Sequence, residues 1–332
     1  MSERRGTPDL SALATVVERF VGEPVEIHGL RRCSGGASRE TWALDATDAH
    51  AQLHELVLRR DPAQQANADN RATEYAVIAA ADAGGVPVPR VRALLETDDD
   101  LGAGFLMDRV EGESIPRRIL RDDEFADARP KLTVQAGTIA AQIHGVDTSA
   151  LPSLPVMGAR EQIDQQRAYL DAFDEPHPAL ELGLRWLDEH VAASPAPPAL
   201  VHGDYRNGNF IVGPEGIRSV LDWELAHLGD PVEDLGWLCV KSWRFGHADQ
   251  IAGGFGSLET LLAAYREAGG AAVDEDAVRF WVVLGTVKWG IICAGQTLLH
   301  VNGVVRSVEL AALGRRVAEM EWDLLDLLDG GW

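Results

Sequence analysis

The first third of the chain consists of short apolar runs that predict strands, together with two segments that predict helices. Apolar residues at helical spacing predict a helix from Asp9 or Ser11 to Phe20, and Gly22 ends it. An alanine-rich segment over 67–84 predicts a second helix. The strand-like runs share β-branched or alternating apolar residues and lie at 25–30, 41–44, 55–60, 91–95 and 104–110.

The rest of the chain is predicted to be mostly helical. Segments with apolar residues at helical spacing lie at 131–144, 161–173, 182–193, 258–268, 274–296 and 307–328. The link Glu111-Gly112-Glu113 separates the strand-rich part from the helical part. We therefore predict an α+β fold with one lobe at 1–110 and a second at 111–332.

A polar loop between short apolar strands interrupts the helical part. After the stretch ALVHGDYRNGNFIV, the sequence predicts a turn, then a strand that ends at Asp222, and then a loop over 227–231. Asp204 and Asn209 are five residues apart, which is the D-x-x-x-x-N spacing of kinase catalytic loops. A carboxylate there can accept a hydroxyl proton, and carboxylate and amide oxygens can hold Mg²⁺. The alternative is that these residues serve only as turns and helix caps.

The charge of the chain narrows the possible partners. The formal net charge is −22 over 332 residues. Nucleic-acid binding requires clustered Lys and Arg, so the excess of acidic over basic residues argues against it. An acidic surface attracts cationic substrates and repels free nucleotides at long range, although it can also serve solubility alone.

Cysteine usage and hydropathy indicate a cytoplasmic protein. Cys33, Cys239 and Cys293 are scattered without metal-ligand spacing, as expected for buried thiols in a reducing compartment. The N-terminus does not resemble a secretory signal. The longest apolar stretch, 280–295, contains Lys288 and is too short to cross a bilayer, so no membrane role is expected.

A glycine-containing hairpin tip lies between the first two predicted strands. It contains Ser34, Gly35, Gly36 and Ser38. Glycines allow backbone N–H groups to approach a phosphate closely, although most Gly-Gly hairpins are ordinary turns.

The two motifs HGDYRNGNF and LDWELAHLGDPVEDLGWL resemble those of the aminoglycoside phosphotransferase family, a branch of the protein-kinase-like fold. The resemblance covers nearly the whole chain and is most specific over 201–238. The segments VEDLGWLCVKSWRFG and SVELAALGRRVAEMEWDLL are more similar to the branch related to kinase domains fused to acyl-CoA dehydrogenases. The resemblance implies a small antiparallel-sheet lobe, a larger helical lobe and ATP bound between them.

The resemblance also implies roles for individual residues of the helical lobe. Asp204 would orient a substrate hydroxyl and accept its proton, while Asn209 and Asp222 would hold Mg²⁺. Asp230 and Asp234 would brace the catalytic loop. The role of Glu224 is left open.

In the strand-rich lobe, the resemblance implies a nucleotide site. Ser34, Gly35, Gly36 and Ser38 would cover the ATP phosphates. Arg59, aimed by Glu74, would bind phosphate where kinases usually have Lys, and Arg60 is the alternative. Strand alternation places Val57 on the same face as Arg59, so that Val57 would contact adenine. Backbone groups of the linker would bond the adenine edge; the linker residues are Met107, Asp108 and Val110.

The expected acceptor is a small-molecule alcohol, because the A-P-E signature of protein kinases is not evident. It is either a cationic aminosugar or a hydroxylated metabolite such as a hydroxyacyl thioester, and the second is favoured by the resemblance. A different class is a catalytically weak nucleotide-binding pseudokinase that acts through partners. P-loop nucleotide binding is disfavoured, because G-x-x-x-x-G-K-[ST] does not occur in the sequence.

Overall fold

The structure is a computed structural model that describes residues 6–33, 40–61, 68–191, 194 and 196–332. The chain forms two compact units. Unit 1 comprises Met1–Gly112, Asp147–Leu154 and Arg218–Glu224, and unit 2 comprises Glu113–Val146, Pro155–Ile217 and Leu225–Trp332. The predicted boundary between the lobes lies between 110 and 111. Unit 1 differs from the predicted lobe because it also contains two short segments from later in the chain.

Unit 1 is built on a five-stranded antiparallel sheet. Its strands are β1 (Val25–Arg32), β2 (Glu40–Asp48), β3 (Leu53–Arg60), β4 (Val91–Leu94) and β5 (Gly104–Asp108), in the order β1-β2-β3-β5-β4. Its helices are α1 (Leu10–Val21) and α2 (Ala68–Ala83). The Asp48 carboxylate accepts from the backbone N–H groups of His50 and Gln52, both at 2.9 Å, and so closes the turn between β2 and β3. The antiparallel sheet expected for this lobe is confirmed.

The core of unit 1 lies between α1 and one face of the sheet. Asp9 caps α1 by accepting from the backbone N–H groups of residues 11 and 12. The fully buried apolar residues that meet there are Leu13, Val16, Val17, Leu44, Leu56 and Leu58. Each contributes about 1.5–3 kcal/mol by burial. Because side chains alternate along β3, burying Leu56 and Leu58 directs Val57 and Arg59 to the opposite face of the sheet.

Unit 2 is mainly helical. Its helices are α3 (Pro116–Arg121), α4 (Arg129–His144), α5 (Ala159–Asp171), α6 (Pro178–His190), α7 (Val232–Cys239), α8 (Leu258–Glu267), α9 (Glu275–Val301) and α10 (Val308–Leu328). α9 packs against α5, α6, α7 and α10. α7 approaches it closely at Gly236, where an added Cβ would lie 2.3 Å from the Cβ of Trp281. α9 is long and apolar enough to cross a membrane, yet 67% of its most apolar window is buried within the protein.

Short strands complete unit 2 and frame its polar loop. They are β6 (Val156–Met157), β7 (Ala199–Val201), β8 (Phe210–Gly213), β10 (His227–Gly229) and the first two residues of β9 (Gly216–Val220), which passes into unit 1 at Arg218. β10 pairs parallel with β6 and antiparallel with β7, and β8 pairs with β9. The prediction of a loop over 227–231 was therefore wrong for its first three residues, because backbone pairing with two distant segments makes them a strand.

The bounds of two predicted helices differ from the structure by three residues or more. The helix expected over 182–193 is α6, which begins at Pro178 and ends at His190, because proline at the first helical position starts it one turn earlier. The helix expected over 274–296 is α9, which continues to Val301.

Candidate active site

The polar loop after β7 depends on a glycine at position 203. Gly203 has φ +80°, and an added Cβ would lie 2.5 Å from the carbonyl oxygen of Leu225. Glycine adopts this left-handed conformation without strain, and any side chain would collide with backbone. The chain can therefore turn sharply after His202 and present Asp204.

The backbone of this loop is held by Asp234, in the first turn of α7. The Asp234 carboxylate accepts from the backbone N–H of His202 at 2.8 Å and from that of Gly203 at 3.0 Å. Its Oδ2 also lies 3.2 Å from Nε2 of His144, whose Nδ1 lies 2.9 Å from the hydroxyl of Tyr265. Burial favours the neutral acid, but the hydrogen bond and charge of His144 outweigh it and hold the pKa of Asp234 below its ordinary value.

The Asp204 carboxylate is oriented by three side chains. Oδ1 accepts from Nε1 of Trp237 at 2.7 Å and from Nε of Arg206 at 2.9 Å. Oδ2 accepts from Nδ2 of Asn209 at 2.6 Å, and that nitrogen also donates to the Asp204 carbonyl at 2.9 Å. The structure thus brings together the predicted proton acceptor and one predicted metal ligand. Since the Asn209 nitrogen faces Asp204, the amide oxygen of Asn209 is its group suited to a cation.

Three tryptophans, Trp237, Trp243 and Trp289, form a cluster beside the loop, here called the tryptophan cluster. The ring centroids are 5.3 Å apart between Trp237 and Trp243, and 4.9 Å apart between Trp243 and Trp289. The guanidinium of Arg206 lies 4.5 Å from the Trp243 ring, and Nζ of Lys288 lies 5.1 Å from the Trp237 ring. Both distances allow cation–π attraction, so the aromatic cluster also fixes two positive charges.

A second contact fastens α7 to β10. Nε2 of His227 lies 3.1 Å from Oε2 of Glu233, which is buried, and Nδ1 of His227 lies 2.9 Å from the Leu225 carbonyl. Burial opposes the charged imidazole, but the hydrogen bond and charge of Glu233 outweigh it and raise the pKa of His227. Of the two predicted braces, Asp234 contacts the loop backbone, whereas Asp230 accepts from the backbone N–H of Val232 at 2.9 Å at the start of α7. Glu233, which the motif did not indicate, joins α7 to β10.

In unit 1, Arg59 is surrounded by carboxylates. Its Nε lies 3.3 Å from Glu74, its Nη1 lies 2.5 Å from Asp222, and its Nη2 lies 3.2 Å from Glu224. Burial opposes the charge of this guanidinium, but Asp222 and Glu74 outweigh it and raise the pKa of Arg59. Glu74 is itself buried and also pairs with Arg71. The ion pair expected between Arg59 and Glu74 is present, and Glu224 joins the same group of charges.

Arg60, the alternative phosphate ligand, is bonded elsewhere. It pairs with Glu40 at 2.9 Å and donates to the backbone carbonyls of Leu101 at 3.1 Å and Gly6 at 2.6 Å. Because neighbouring residues of a strand point to opposite faces, Arg59 and Arg60 belong to different groups of contacts. The assignment of either arginine to phosphate stays a prediction.

The predicted adenine contacts lie on the neighbouring strands β3 and β5. Val57 is paired directly with Met107. The backbone N–H of Asp108 donates to the Arg90 carbonyl at 2.8 Å, and its carboxylate forms a bidentate pair with Arg92 at 2.6 and 2.7 Å. An adenine contact by Asp108 would therefore use its carbonyl group. Val110 follows β5, and the predicted phosphate-covering residues Ser34, Gly35, Gly36 and Ser38 lie outside the described residues.

The second predicted metal ligand, Asp222, follows β9 in unit 1. It adopts φ +66°, a left-handed conformation that aspartate tolerates better than most residues, and its side chain is 42% exposed. Over the described part of the chain, no group of three or more His, Cys, Asp or Glu residues is arranged to hold a metal ion. The carboxylate of Asp222 is an oxygen donor of the kind that Mg²⁺ takes, since Mg²⁺ commonly uses one or two protein carboxylates together with substrate phosphates.

The involvement of Trp237 was missed in the sequence. Its spacing of three residues from Asp234 on one helix places both on the same face, which is the one signal that could have indicated it. A tryptophan in a helix is ordinarily read as core, and only the tertiary structure shows that its N–H reaches Asp204.

An antiparallel sheet lobe followed by a helical lobe, with this catalytic-type loop, is the fold of protein-kinase-like phosphotransferases. A putative aminoglycoside phosphotransferase from Ralstonia eutropha superposes with a TM-score of 0.77 at 23% identity, over 97% of this chain and 99% of that one. A spectinomycin phosphotransferase solved with ADP and spectinomycin superposes with a TM-score of 0.62 at 14% identity, over 97% of this chain and 95% of that one.

Residues 29–281 match the phosphotransferase enzyme family, and the chain belongs to this family. Acyl-CoA dehydrogenase family member 11 of Gallus gallus is 30% identical over 92% of this chain and 41% of its own length. Member 10 of Mus musculus is 31% identical over 62% of this chain and 20% of its own length. The chain thus spans less than half the length of these relatives. The predicted resemblance to the family and to its acyl-CoA dehydrogenase-related branch is confirmed.

Proposed function

We propose that this protein is an ATP- and Mg²⁺-dependent kinase that transfers the γ-phosphoryl group to the hydroxyl of a small molecule. The observation that carries the proposal is the Asp204 carboxylate, held by Asn209 and Trp237 on a loop whose backbone Asp234 clamps. Membership of the phosphotransferase family supports it, as does the structural neighbour solved with ADP.

The contacts of Asp204 assign the oxygen that takes the proton. Each carboxylate oxygen can accept about two hydrogen bonds. Oδ1 already accepts from Trp237 and Arg206, whereas Oδ2 accepts from Asn209, and no second donor reaches it from unit 2 as described. The acceptor hydroxyl would therefore donate to Oδ2. As the new O–P bond forms and the bond to ADP breaks, the hydroxyl proton passes to this oxygen.

The remaining residues of the proposed site bind and orient the nucleotide. Arg59, fixed by the buried Glu74, offers a planar fork to phosphate oxygens. Asn209 and Asp222 would hold Mg²⁺, which when bound neutralises charge on the phosphates. Val57 and Met107, paired across β3 and β5, offer an apolar surface to the adenine ring.

The acceptor we favour is a hydroxylated metabolite such as a hydroxyacyl thioester rather than an aminosugar. Arg206 contacts Asp204 directly and Lys288 lies over Trp237, so two positive charges stand close to the proposed base. These two cations, which pair with Asp204 and Glu233, reduce the attraction of the site for a polycationic aminosugar, although the whole chain carries a net charge of −22. The relatives named as acyl-CoA dehydrogenase family members support an acyl substrate. We further propose a cytoplasmic location, which the free thiols of the three cysteines support.

The test is an ADP-release assay with MgATP and a panel of alcohols that contains hydroxyacyl thioesters and aminoglycosides. Asp204→Asn should lower kcat by roughly 10²–10⁴-fold, the usual contribution of a general base. Asp171→Asn, which neutralises an exposed carboxylate of α5, is the matched control and should retain turnover.

Three results would count against the proposal or a part of it. Full turnover by Asp204→Asn would remove Asp204 as the base. Nucleotide binding without turnover of any alcohol would favour the pseudokinase instead, and saturable turnover of aminoglycosides alone would refute the acyl acceptor.

A further inference from the structure

We propose that Trp237 is a positioning residue for phosphoryl transfer, because its indole N–H holds the Asp204 carboxylate with Oδ2 directed to the acceptor. The inference rests on the proposed function of Asp204 and deepens it. Its first support is the hydrogen bond from Nε1 of Trp237 to Oδ1 of Asp204, at 2.7 Å. A bond of this length to a carboxylate falls in the charge-assisted range.

The position of Trp237 on α7 gives the contact its rigidity. Asp234, three residues earlier on the same helix, binds the backbone N–H groups that precede Asp204. Gly236 allows α7 to pack tightly on α9 at Trp281, which fixes the helix itself. A single helix thus sets both the backbone path to Asp204 and the rotation of its side chain.

Chemistry distinguishes Trp237 from the other two donors to Asp204. Indole is a donor only, so it can neither compete for the hydroxyl proton nor take it. It is neutral, so it orients the carboxylate without a full opposing charge. Arg206, in contrast, carries a charge on a long side chain that is 24% exposed, whereas Trp237 is 5% exposed and has only two rotatable side-chain bonds.

The tryptophan cluster supplies an internal control. Trp289 belongs to the same cluster and packs against Trp243 with the two rings tilted by 53°. Its Nε1 is buried and has no hydrogen-bond partner in the part of the chain that the structure describes. Phenylalanine at either position keeps an aromatic ring and removes the N–H. A purely structural role for the cluster predicts similar effects at both positions, whereas the positioning role predicts an effect on catalysis at Trp237 alone.

The experiment compares Trp237→Phe with Trp289→Phe in the full chain by steady-state kinetics with MgATP and the best alcohol found. Trp237→Phe should lower kcat roughly 10- to 100-fold, the range for losing one hydrogen bond to a charged group, with KM for ATP within about twofold. Trp289→Phe should retain kcat within about twofold, and melting curves verify that both variants are folded. A kcat for Trp237→Phe equal to that of Trp289→Phe would overturn the inference.

A second measurement decides the inference even if no alcohol is turned over, a result that would refute the proposed function instead. Indole N–H resonances are recorded by ¹H–¹⁵N NMR, and each variant identifies the resonance that it removes. In Asp204→Asn, the Trp237 resonance should move upfield as the bond to the carboxylate weakens, while that of Trp289 stays in place. An unchanged Trp237 resonance would overturn the inference.

Discussion

Replacing Asp234 should destabilise unit 2 strongly. The Asp234 carboxylate is fully buried and accepts from the amides of His202 and Gly203 and from His144. Alanine would leave these donors without partners in a buried site. Removing one partner of a buried charged interaction costs about 3–5 kcal/mol. At roughly 2–4 °C per kcal/mol for a domain of this size, Asp234→Ala should melt about 6–20 °C lower.

Asparagine at the same position gives a sharper test, because it keeps the shape of the side chain. Oδ1 of Asp234 faces the Gly203 amide and Oδ2 faces the His202 amide. Whichever oxygen becomes NH₂ will meet a backbone N–H, so every orientation loses one bond and sets two donors against each other. We expect a cost of about 1.5–3 kcal/mol, the usual contribution of a hydrogen bond to a charged group, or about 3–12 °C.

Differential scanning fluorimetry, repeated by circular dichroism, measures both variants against Asp171→Asn. The control alters an exposed carboxylate and should stay within about 0.5 kcal/mol of the unaltered chain. Turnover should fall in Asp234→Asn, since the same amides carry the chain into Asp204. An asparagine variant that melts with the unaltered protein and keeps its kcat would refute the reasoning.

Three further predictions concern single residues. Arg59→Gln should raise KM for ATP at least tenfold in steady-state kinetics, with Arg59→Lys intermediate, because lysine keeps the charge but lacks the bidentate fork; an unchanged KM would remove Arg59 from the nucleotide site. Gly203→Ala should cost roughly 1–3 kcal/mol in thermal melts, the usual strain of such a backbone, since its Cβ would meet the Leu225 carbonyl; an unchanged melting temperature would contradict this. Because Glu233 raises the pKa of His227, their ion pair is fully present below pH about 6.5 and is lost as the pH rises through the raised value. His227→Phe should therefore lower the melting temperature more at pH 6 than at pH 9. An equal decrease at both pH values would contradict this pH dependence.

Local signals in the sequence predicted much of unit 1. Asp9 lies just before a run of apolar residues at helical spacing, and it caps α1 as expected. The alternation along β3 predicted that Val57 and Arg59 share a face, and the buried Leu56 and Leu58 confirm it. Both patterns arise from interactions within a few residues, which is the range over which a sequence can be interpreted directly.

Tertiary contacts explain the features that were not predicted. β10 has three residues, too few to show a periodicity, and it is a strand because β6 and β7 supply its hydrogen bonds. The contact between Trp237 and Asp204 joins positions 33 residues apart. The spacing of Asp204 and Asn209 was informative for a different reason: both belong to one turn, so their separation along the chain determines their separation in space.

The ion pair between Arg59 and Asp222 compensates the charges of both residues before the proposed enzyme binds its nucleotide. The Arg59 side chain is 13% exposed, and an uncompensated charge on a side chain buried to this extent would be costly. If Arg59 binds phosphate and Asp222 binds a cation, as in the proposed function, each residue occupies the place of the other's ligand in this ion pair. In the proposed function, the nucleotide and the metal replace these partners when they bind. Both charges are therefore compensated before and after binding.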